Sequence, residues 1–290
     1  MLSDQQPQPL ITSRRNPLVR RLRALAGRKG RDQEGVVLLE GTHLLQELVL
    51  LLQGSQHPLE LVATPRWLEG HQVLLARFQT APRVQMVSEE VLQASLSTVH
   101  PDGVAALIPL ALLPACPAKP SFVLALDRLQ DPGNLGTLLR TALAADVQVV
   151  WQGSGADPLG PKVVRSSAGA VLHLPHQRFG PSEDAGVEGL RRELLGARDR
   201  GLQVVATLVP GAGGEMPVVP YWELDWTKPT VLVLGNEGSG LHPDLQSCCT
   251  HGVTLPHSTA VESLNVASAA VPLLLERRRA TMTAPLQQSG

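Results

Sequence analysis

Apolar positions along the chain follow two periods. Short runs of mostly apolar residues predict strands, and apolar residues spaced three and four apart predict helices. In the first third, residues 36–39, 59–63, 84–87 and 104–108 are expected strands. Thr42 is the expected cap of a helix through residue 52, with Leu44, Leu45, Leu48, Leu51 and Leu52 on one stripe, and Ser88 that of a short helix. Beyond residue 120 the alternation strengthens, with strands at 122–126, 147–151, 202–206, 231–234 and 253–255. Leu135, Leu138, Leu139, Ala142 and Leu143 have the spacing of a helix over 135–145. A second helix over 187–200 stops at Gly201, and a last one spans 263–279 with Pro272 awkwardly inside it. Strands alternating with helices predict an α/β fold with a mostly parallel sheet and helices on both faces.

Pro109, Pro114, Pro117 and Pro120 interrupt this pattern. Proline at that density continues neither a helix nor a central strand, so 109–120 is expected to be a semi-rigid linker. It would separate a small α/β domain, 1–108, from a larger one, 121–280, with 281–290 a frayed tail.

Composition narrows the class. With 290 residues, 43% of them apolar, each half can bury a core. A net charge of −1 excludes a disordered polyelectrolyte and a histone-like basic protein. Three cysteines, Cys116 and the adjacent Cys248 and Cys249, make no disulfide framework and favour a reducing compartment; the adjacent pair is best explained as small apolar packing. No uninterrupted apolar stretch approaches the roughly 20 residues of a membrane span. Acid and amides precede the arginines of residues 1–15 without an apolar core, unlike a secretory signal. A soluble cytoplasmic protein is the expectation. The nine histidines are scattered without HxxxH, and no CxxC occurs, so no metal is expected. Trp222 and Trp226, near Tyr221, suit packing better than base stacking.

Charge is locally uneven. Arg14, Arg15, Arg20, Arg21, Arg23, Arg28, Lys29 and Arg31 follow one another with no acid among them. Either this is a solvated helix face or an arm for a polyanion, and arginine's planar fork suits phosphate.

Three segments could carry chemistry, all at strand-to-helix or strand-to-loop junctions, where open α/β sheets bind ligands. The first is Asp131-Pro132-Gly133-Asn134-Leu135-Gly136-Thr137-Leu138-Leu139-Arg140. Asn134 occupies an expected helix N-cap, and Arg140 is the one charge in an otherwise uncharged helix. In the second, a buried strand runs into Gly235-Asn236-Glu237-Gly238-Ser239-Gly240-Leu241. It fits neither the phosphate loop GxxxxGK[ST] nor the dinucleotide fingerprint. The third is Leu255-Pro256-His257-Ser258-Thr259-Ala260-Val261-Glu262-Ser263-Leu264-Asn265-Val266-Ala267, where Ser263 could equally be a helix cap.

In this order the three segments resemble the SpoU (TrmH-type) family of RNA ribose 2′-O-methyltransferases. Ser13-Arg14-Arg15-Asn16-Pro17-Leu18-Val19-Arg20 and Glu40-Gly41-Thr42-His43-Leu44-Leu45 are similar to that family's small RNA-binding domain. The third segment departs from the family, which usually has Met and then Gly where this chain has His257 and Thr259. The resemblance implies a deep trefoil knot in the carboxyl-terminal domain, S-adenosylmethionine as cofactor, a homodimer and an RNA substrate, rRNA ahead of tRNA. It places Gly235, Leu255 and Leu264 against the cofactor, with Thr207 a weaker candidate. It makes Arg140, Asn134, Glu237, Ser263 and Asn265 the catalytic set, and the run from Arg14 to Arg31 an RNA-contact surface. Arg140 is the family's candidate base; because a guanidinium is normally charged, it could instead orient the phosphate and hydroxyl. A non-catalytic RNA-binding protein of the same fold is the competing expectation. A nucleotide-dependent oxidoreductase is disfavoured by the lack of a GxGxxG after a strand.

Overall fold

The computed structural model describes residues 9–283 apart from 54, 55, 58, 210–215 and 259. The arginine run is helical. It forms α1 (Pro17–Leu25) and α2 (Arg28–Glu34). Asn16 caps α1 by accepting the Leu18 N–H at 2.9 Å, and Pro17 fills the first turn, where no N–H is needed. Val19, Leu22 and Leu25 form the buried stripe of α1, which turns most of its arginines outward.

There follow β1 (Val36–Glu40), α3 (Thr42–Leu51), β2 (Glu60–Ala63), α4 (Pro65–Gly70), α5 (Gln72–Leu75), β3 (Arg83–Met86), α6 (Glu89–Ser95) and β4 (Val104–Pro109). The four strands lie in the order β1-β4-β2-β3. Pairings with β4 are antiparallel and β2 with β3 is parallel. One face of this sheet packs Leu38, Val62, Ala105 and Leu107 against Val19, Leu22, Leu25, Val91 and Leu92. Ser88 caps α6 through the Val91 N–H, as expected. Thr42 does not cap α3. Gly41, at φ 105°, holds that position, and Asp102 accepts the Thr42 N–H at 2.7 Å from outside the helix. Pro109 closes β4, and Leu110–Leu112 form a single 3-10 turn after it.

The chain continues through β5 (Phe122–Leu126), α7 (Pro132–Ala144), β6 (Val149–Gln152), α8 (Pro161–Ser166), β7 (His176–Arg178), α9 (Glu183–Asp199), β8 (Gln203–Thr207) and β9 (Val218–Pro220). It ends with β10 (Thr230–Leu234), α10 (Pro243–Gln246), β11 (His251–Thr254) and α11 (Val266–Thr283). Seven strands form one sheet in the order β7-β6-β5-β10-β8-β11-β9, and every pairing is parallel. Every residue of β5, β6 and β10 is buried, which is why residues 122–126, 149–151 and 231–234 appear in the sequence as unbroken apolar runs. One face carries α9 and α10 over Val123, Val149, Val204 and Val231. Elsewhere in this unit α7 and α11 pack against each other. The short strands β7 and β9 have half-buried, mixed residues and no apolar run to betray them. The last helix starts at Val266 rather than at residue 263 and runs into the expected tail as far as Thr283; the rest of that tail, 284–290, lies outside the described residues. Pro272 sits inside this helix. Among the described residues no helix is long and apolar enough to cross a membrane.

The chain divides into two compact units, and the division is not contiguous. Met1–Pro114 is joined by Asp157–His173, while Ala115–Ala156 is joined by Leu174–Gly290. Polar contacts of Asp157, Arg165 and His173 tie the inserted segment into the first unit. Arg31 is 2% exposed and its guanidinium pairs with Asp157 while donating to the carbonyls of Leu25 and Ala26 at 3.0 Å. Arg165 reaches Glu40 at 3.2 Å and Ser97 Oγ at 2.7 Å. His173 meets Glu47 at 3.0 Å.

Removing the buried end of a buried ion pair costs roughly 3–5 kcal/mol, less where the partner keeps some water. Arg31→Ala should therefore lower stability by about 2–4 kcal/mol, seen as a fall in the calorimetric Tm, whereas the exposed Arg20→Ala should stay within about 0.5 kcal/mol of the parent.

Candidate active site

Loops at the carboxyl ends of β5, β8, β10 and β11 enclose a cavity of about 590 Å³. Here β10 sits between β5 and β8, so the chain's course across the sheet reverses, the place where open α/β sheets leave a crevice.

Asp131, not Asn134, caps α7: its Oδ1 accepts the Asn134 N–H at 2.7 Å, and Pro132 fills the first turn. The Asn134 side chain is thereby left to bond elsewhere. Its Nδ2 donates to Glu237 Oε1 at 3.3 Å, and its Oδ1 accepts from Asn265 Nδ2 at 2.9 Å. Glu237 also accepts the N–H groups of Gln130 and Asp131, each at 3.3 Å. A carboxylate thus rests at the amino end of α7, where the helix dipole favours negative charge. Asn265 caps α11, its Oδ1 accepting from Ala267 and Ser268 at 2.9 and 3.2 Å. Ser263 is not a cap. It lies upstream of α11, exposed, on the cavity wall.

The glycine loop is a closed hairpin. Asn236 and Gly240 exchange backbone bonds at 2.9 and 3.0 Å, while Asn236 Oδ1 accepts from Gly238 and Ser239. A Cβ at Gly235 would fall 2.4 Å from Leu241 N and 2.5 Å from the Gly240 carbonyl carbon, both backbone, so no side chain fits. Beneath this loop lies a polar pair that the sequence reading passed over. Asp127 is fully buried at the end of β5, paired with Arg128 at 2.9 Å, and its Oδ2 accepts the His242 N–H at 2.8 Å. Arg128 has φ 53° and its carbonyl accepts Asn236 Nδ2 at 2.8 Å, which ties the first loop to the second. Its guanidinium is held above its ordinary pKa, chiefly by the hydrogen bond to Asp127. The signal was present in the sequence: these are the first charges after the wholly apolar Phe122–Leu126.

The expected cofactor contacts all line this cavity: Thr207, Gly235, Leu255 and Leu264. Thr207 Oγ1 is buried with no hydrogen-bond partner among the described residues. His257 also lines the wall, its Nδ1 bonded to the Leu255 carbonyl at 2.7 Å, whereas Thr259 lies outside the described residues. Arg140 does not line it. It is exposed on α7 with no side-chain partner among the described residues. Burial pushes the Cys249 thiol up to about 12 and raises that of Cys248, in keeping with packing rather than chemistry.

The model of the SpoU rRNA Methylase family matches residues 121–274, and that of an MRM3-like substrate binding domain matches residues 16–106. The chain belongs to the SpoU rRNA methylase family. It is 42% identical to an uncharacterized tRNA/rRNA methyltransferase of Synechocystis sp., covering 93% of each chain. It is 30% identical to the 23S rRNA (guanosine(2553)-2'-O)-methyltransferase RlmP of Bacillus subtilis, over 92% of this chain and 98% of that one. The AdoMet-bound rRNA methyltransferase from Sinorhizobium meliloti superposes with a TM-score of 0.74 at 30% identity, covering 93% of this chain and 97% of that chain.

In the first unit the basic run is not uniform. Arg14, Arg15, Arg20, Arg28 and Lys29 are exposed. Arg23 donates to the Ala94 carbonyl at 2.6 Å. Arg21 is occupied by Glu60 at 2.6 Å and Glu34 at 2.8 Å, a pairing that raises its pKa, the Glu60 bond foremost. Arg31 is buried on Asp157 and has no surface to offer, so the expectation that it contacts RNA is corrected here: backbone carbonyls and a carboxylate take its donors.

Gly235→Ala forces backbone apart at the hairpin. We expect a loss of about 1–3 kcal/mol in stability, measured by urea unfolding, with Gly238→Ala, whose Cβ would meet only the Asn236 side chain at 3.6 Å, costing less.

Proposed function

We propose that this chain transfers the methyl group of S-adenosylmethionine to a ribose 2′-hydroxyl of RNA, ribosomal RNA in the first instance. The observation that supports it best is the junction Glu237–Asn134–Asn265, which brings all three segments to the lip of one cavity. The residues present suit the cofactor. Thr207 lines the cavity with a hydroxyl that has no partner among the described residues, Gly235 gives bare backbone, and Leu255 and Leu264 give an apolar surface for an adenine. When bound, S-adenosylmethionine supplies a methyl carbon on a sulfonium, whose leaving group departs neutral and needs no proton.

The protein's tasks are then alignment and removal of one hydroxyl proton. Alignment supplies roughly 7–11 kcal/mol of such a barrier. Asn134 and Glu237 brace each other and fix the first loop. Asn265 holds the start of α11 against Asn134, and Ser263 presents its hydroxyl on the cavity wall. Arg140 is read as the group that orients the substrate phosphate and the attacking hydroxyl, with phosphate or water as proton acceptor. Its exposed place on α7 suits a site finished by a second copy of the chain, and Val271 and Leu275 on the neighbouring α11 are exposed apolar residues that a homodimer would cover. We further read the segment from Leu234 to Val266 as the threaded part of a trefoil knot, and the chain as cytoplasmic. Arg14, Arg15, Arg20, Arg28 and Lys29 serve as the RNA-contact surface, which makes binding sensitive to salt.

Methyl transfer from labelled cofactor onto total rRNA and tRNA pools tests the reading: label in alkali-resistant linkages of rRNA is expected, and no RNA labelling at all would sink it. Arg140→Ala should lower turnover by about 10²- to 10⁴-fold while the calorimetric Kd for S-adenosylmethionine holds within about twofold. A rate that rises with pH far above neutrality would point instead to Arg140 as the base.

A further inference from the structure

A second cavity, of about 550 Å³, lies in the first unit, outside the site described above. Its floor is one end of the four-stranded sheet. Val36 pairs with Pro109, Leu107 with Glu60, and Glu60 with Arg83, so all these side chains rise from a single face. It is the same face that packs Leu38 and Val62 beneath α1. Toward the start of β2 and β3 that packing stops, and Leu18 and Arg21 of α1 overhang an open space.

The polar groups around this space are unevenly satisfied. Glu60 stands directly across from Arg83 in register, yet its carboxylate is taken by both ends of the Arg21 guanidinium, at 2.6 and 3.2 Å. Arg83 is left exposed with no side-chain partner among the described residues. Asn16 spends its Oδ1 on the Leu18 N–H, which leaves its Nδ2 unpaired among the described residues. Gln85 spends its Nε2 on the Pro9 and Met86 carbonyls, which leaves its Oε1 likewise unpaired. The cavity therefore shows an apolar floor, one spare donor, one spare acceptor and one uncompensated guanidinium.

That combination matches a nucleotide: a flat ring with a donor and acceptor edge, carrying a phosphate. We propose that this cavity takes one unstacked nucleotide of the RNA substrate, its base against the half-buried Val36 and Leu18 and its phosphate on Arg83. The proposal rests on the reading of the chain as an RNA methyltransferase and adds a reader of single-stranded sequence to it. Unpaired bases are the part of RNA that proteins distinguish most readily, because their edges are open.

The test uses the full chain with labelled Leu and Val methyl groups and, as probe, a mixed-sequence single-stranded pentaribonucleotide beside its abasic counterpart. We expect the pentamer to shift the methyl signals of Leu18, Val36 and Leu107, and the abasic strand to bind about 5- to 100-fold more weakly. Arg83→Ala should lower the slope of log affinity against log salt by about one, with Arg83→Lys restoring it. Val36→Phe, which fills the floor, should erase the preference for the base-bearing strand. If that variant fails to fold, the abasic comparison and Arg83→Ala still decide. Equal affinity for the two strands, or methyl shifts elsewhere only, overturns the proposal. Methyl transfer to RNA, assayed on the same protein, separates the failures: transfer without shifts here leaves the enzyme reading intact, and shifts without transfer do the reverse.

Discussion

One carboxylate organises the larger unit. Glu237 sits where α7 begins and gathers the backbone N–H groups of Gln130 and Asp131 together with the amide of Asn134. Those donors have no helical partner, so the carboxylate supplies what the helix geometry leaves wanting. The same contact closes a chain of bonds from the β10 loop through Asn134 to Asn265 and so to the first turn of α11. Segments more than a hundred residues apart are thereby held by the side chains of Glu237, Asn134 and Asn265. Glu237 can do this because the hairpin from Asn236 to Gly240 is itself closed, and because buried Asp127 pins the His242 end of the loop.

The architecture was largely legible, for a physical reason. A strand buried on both faces has little polar to interrupt it, so residues 122–126 and 231–234 announce themselves. Caps were less legible. Asp131, Asn134, Ser263 and Asn265 are all good capping types, and which one caps depends on where the chain turns, a tertiary matter. The structure gives the role to Asp131 and Asn265 and frees Asn134 for contacts between loops. The three segments were legible as a set, whereas the Asp127–Arg128 pair shows in the sequence only as two charges after an apolar run, its meaning lying in the loop it supports.

The basic run shows how little a charge count says about availability. Its arginines are alike in sequence, yet Arg31 is sealed beneath carbonyl groups, Arg21 is spent on two carboxylates, and Arg20 is exposed. Helical phase decides among them. On α1 the positions of Val19, Leu22 and Leu25 turn inward, whereas on α2 it is Arg31 that does so, and its burial is tolerated only because its donors meet acceptors.

The segment Asp157–His173 has a consequence for biosynthesis. It supplies partners to Arg31, Glu40 and Glu47 in the first unit, although strands of the second unit precede it in the chain. A nascent polypeptide that has emerged only as far as residue 114 lacks those partners. The amino-terminal unit therefore matures late on the ribosome, with the polar contacts of Asp157, Arg165 and His173 made only after β5, α7 and β6 have left the exit tunnel.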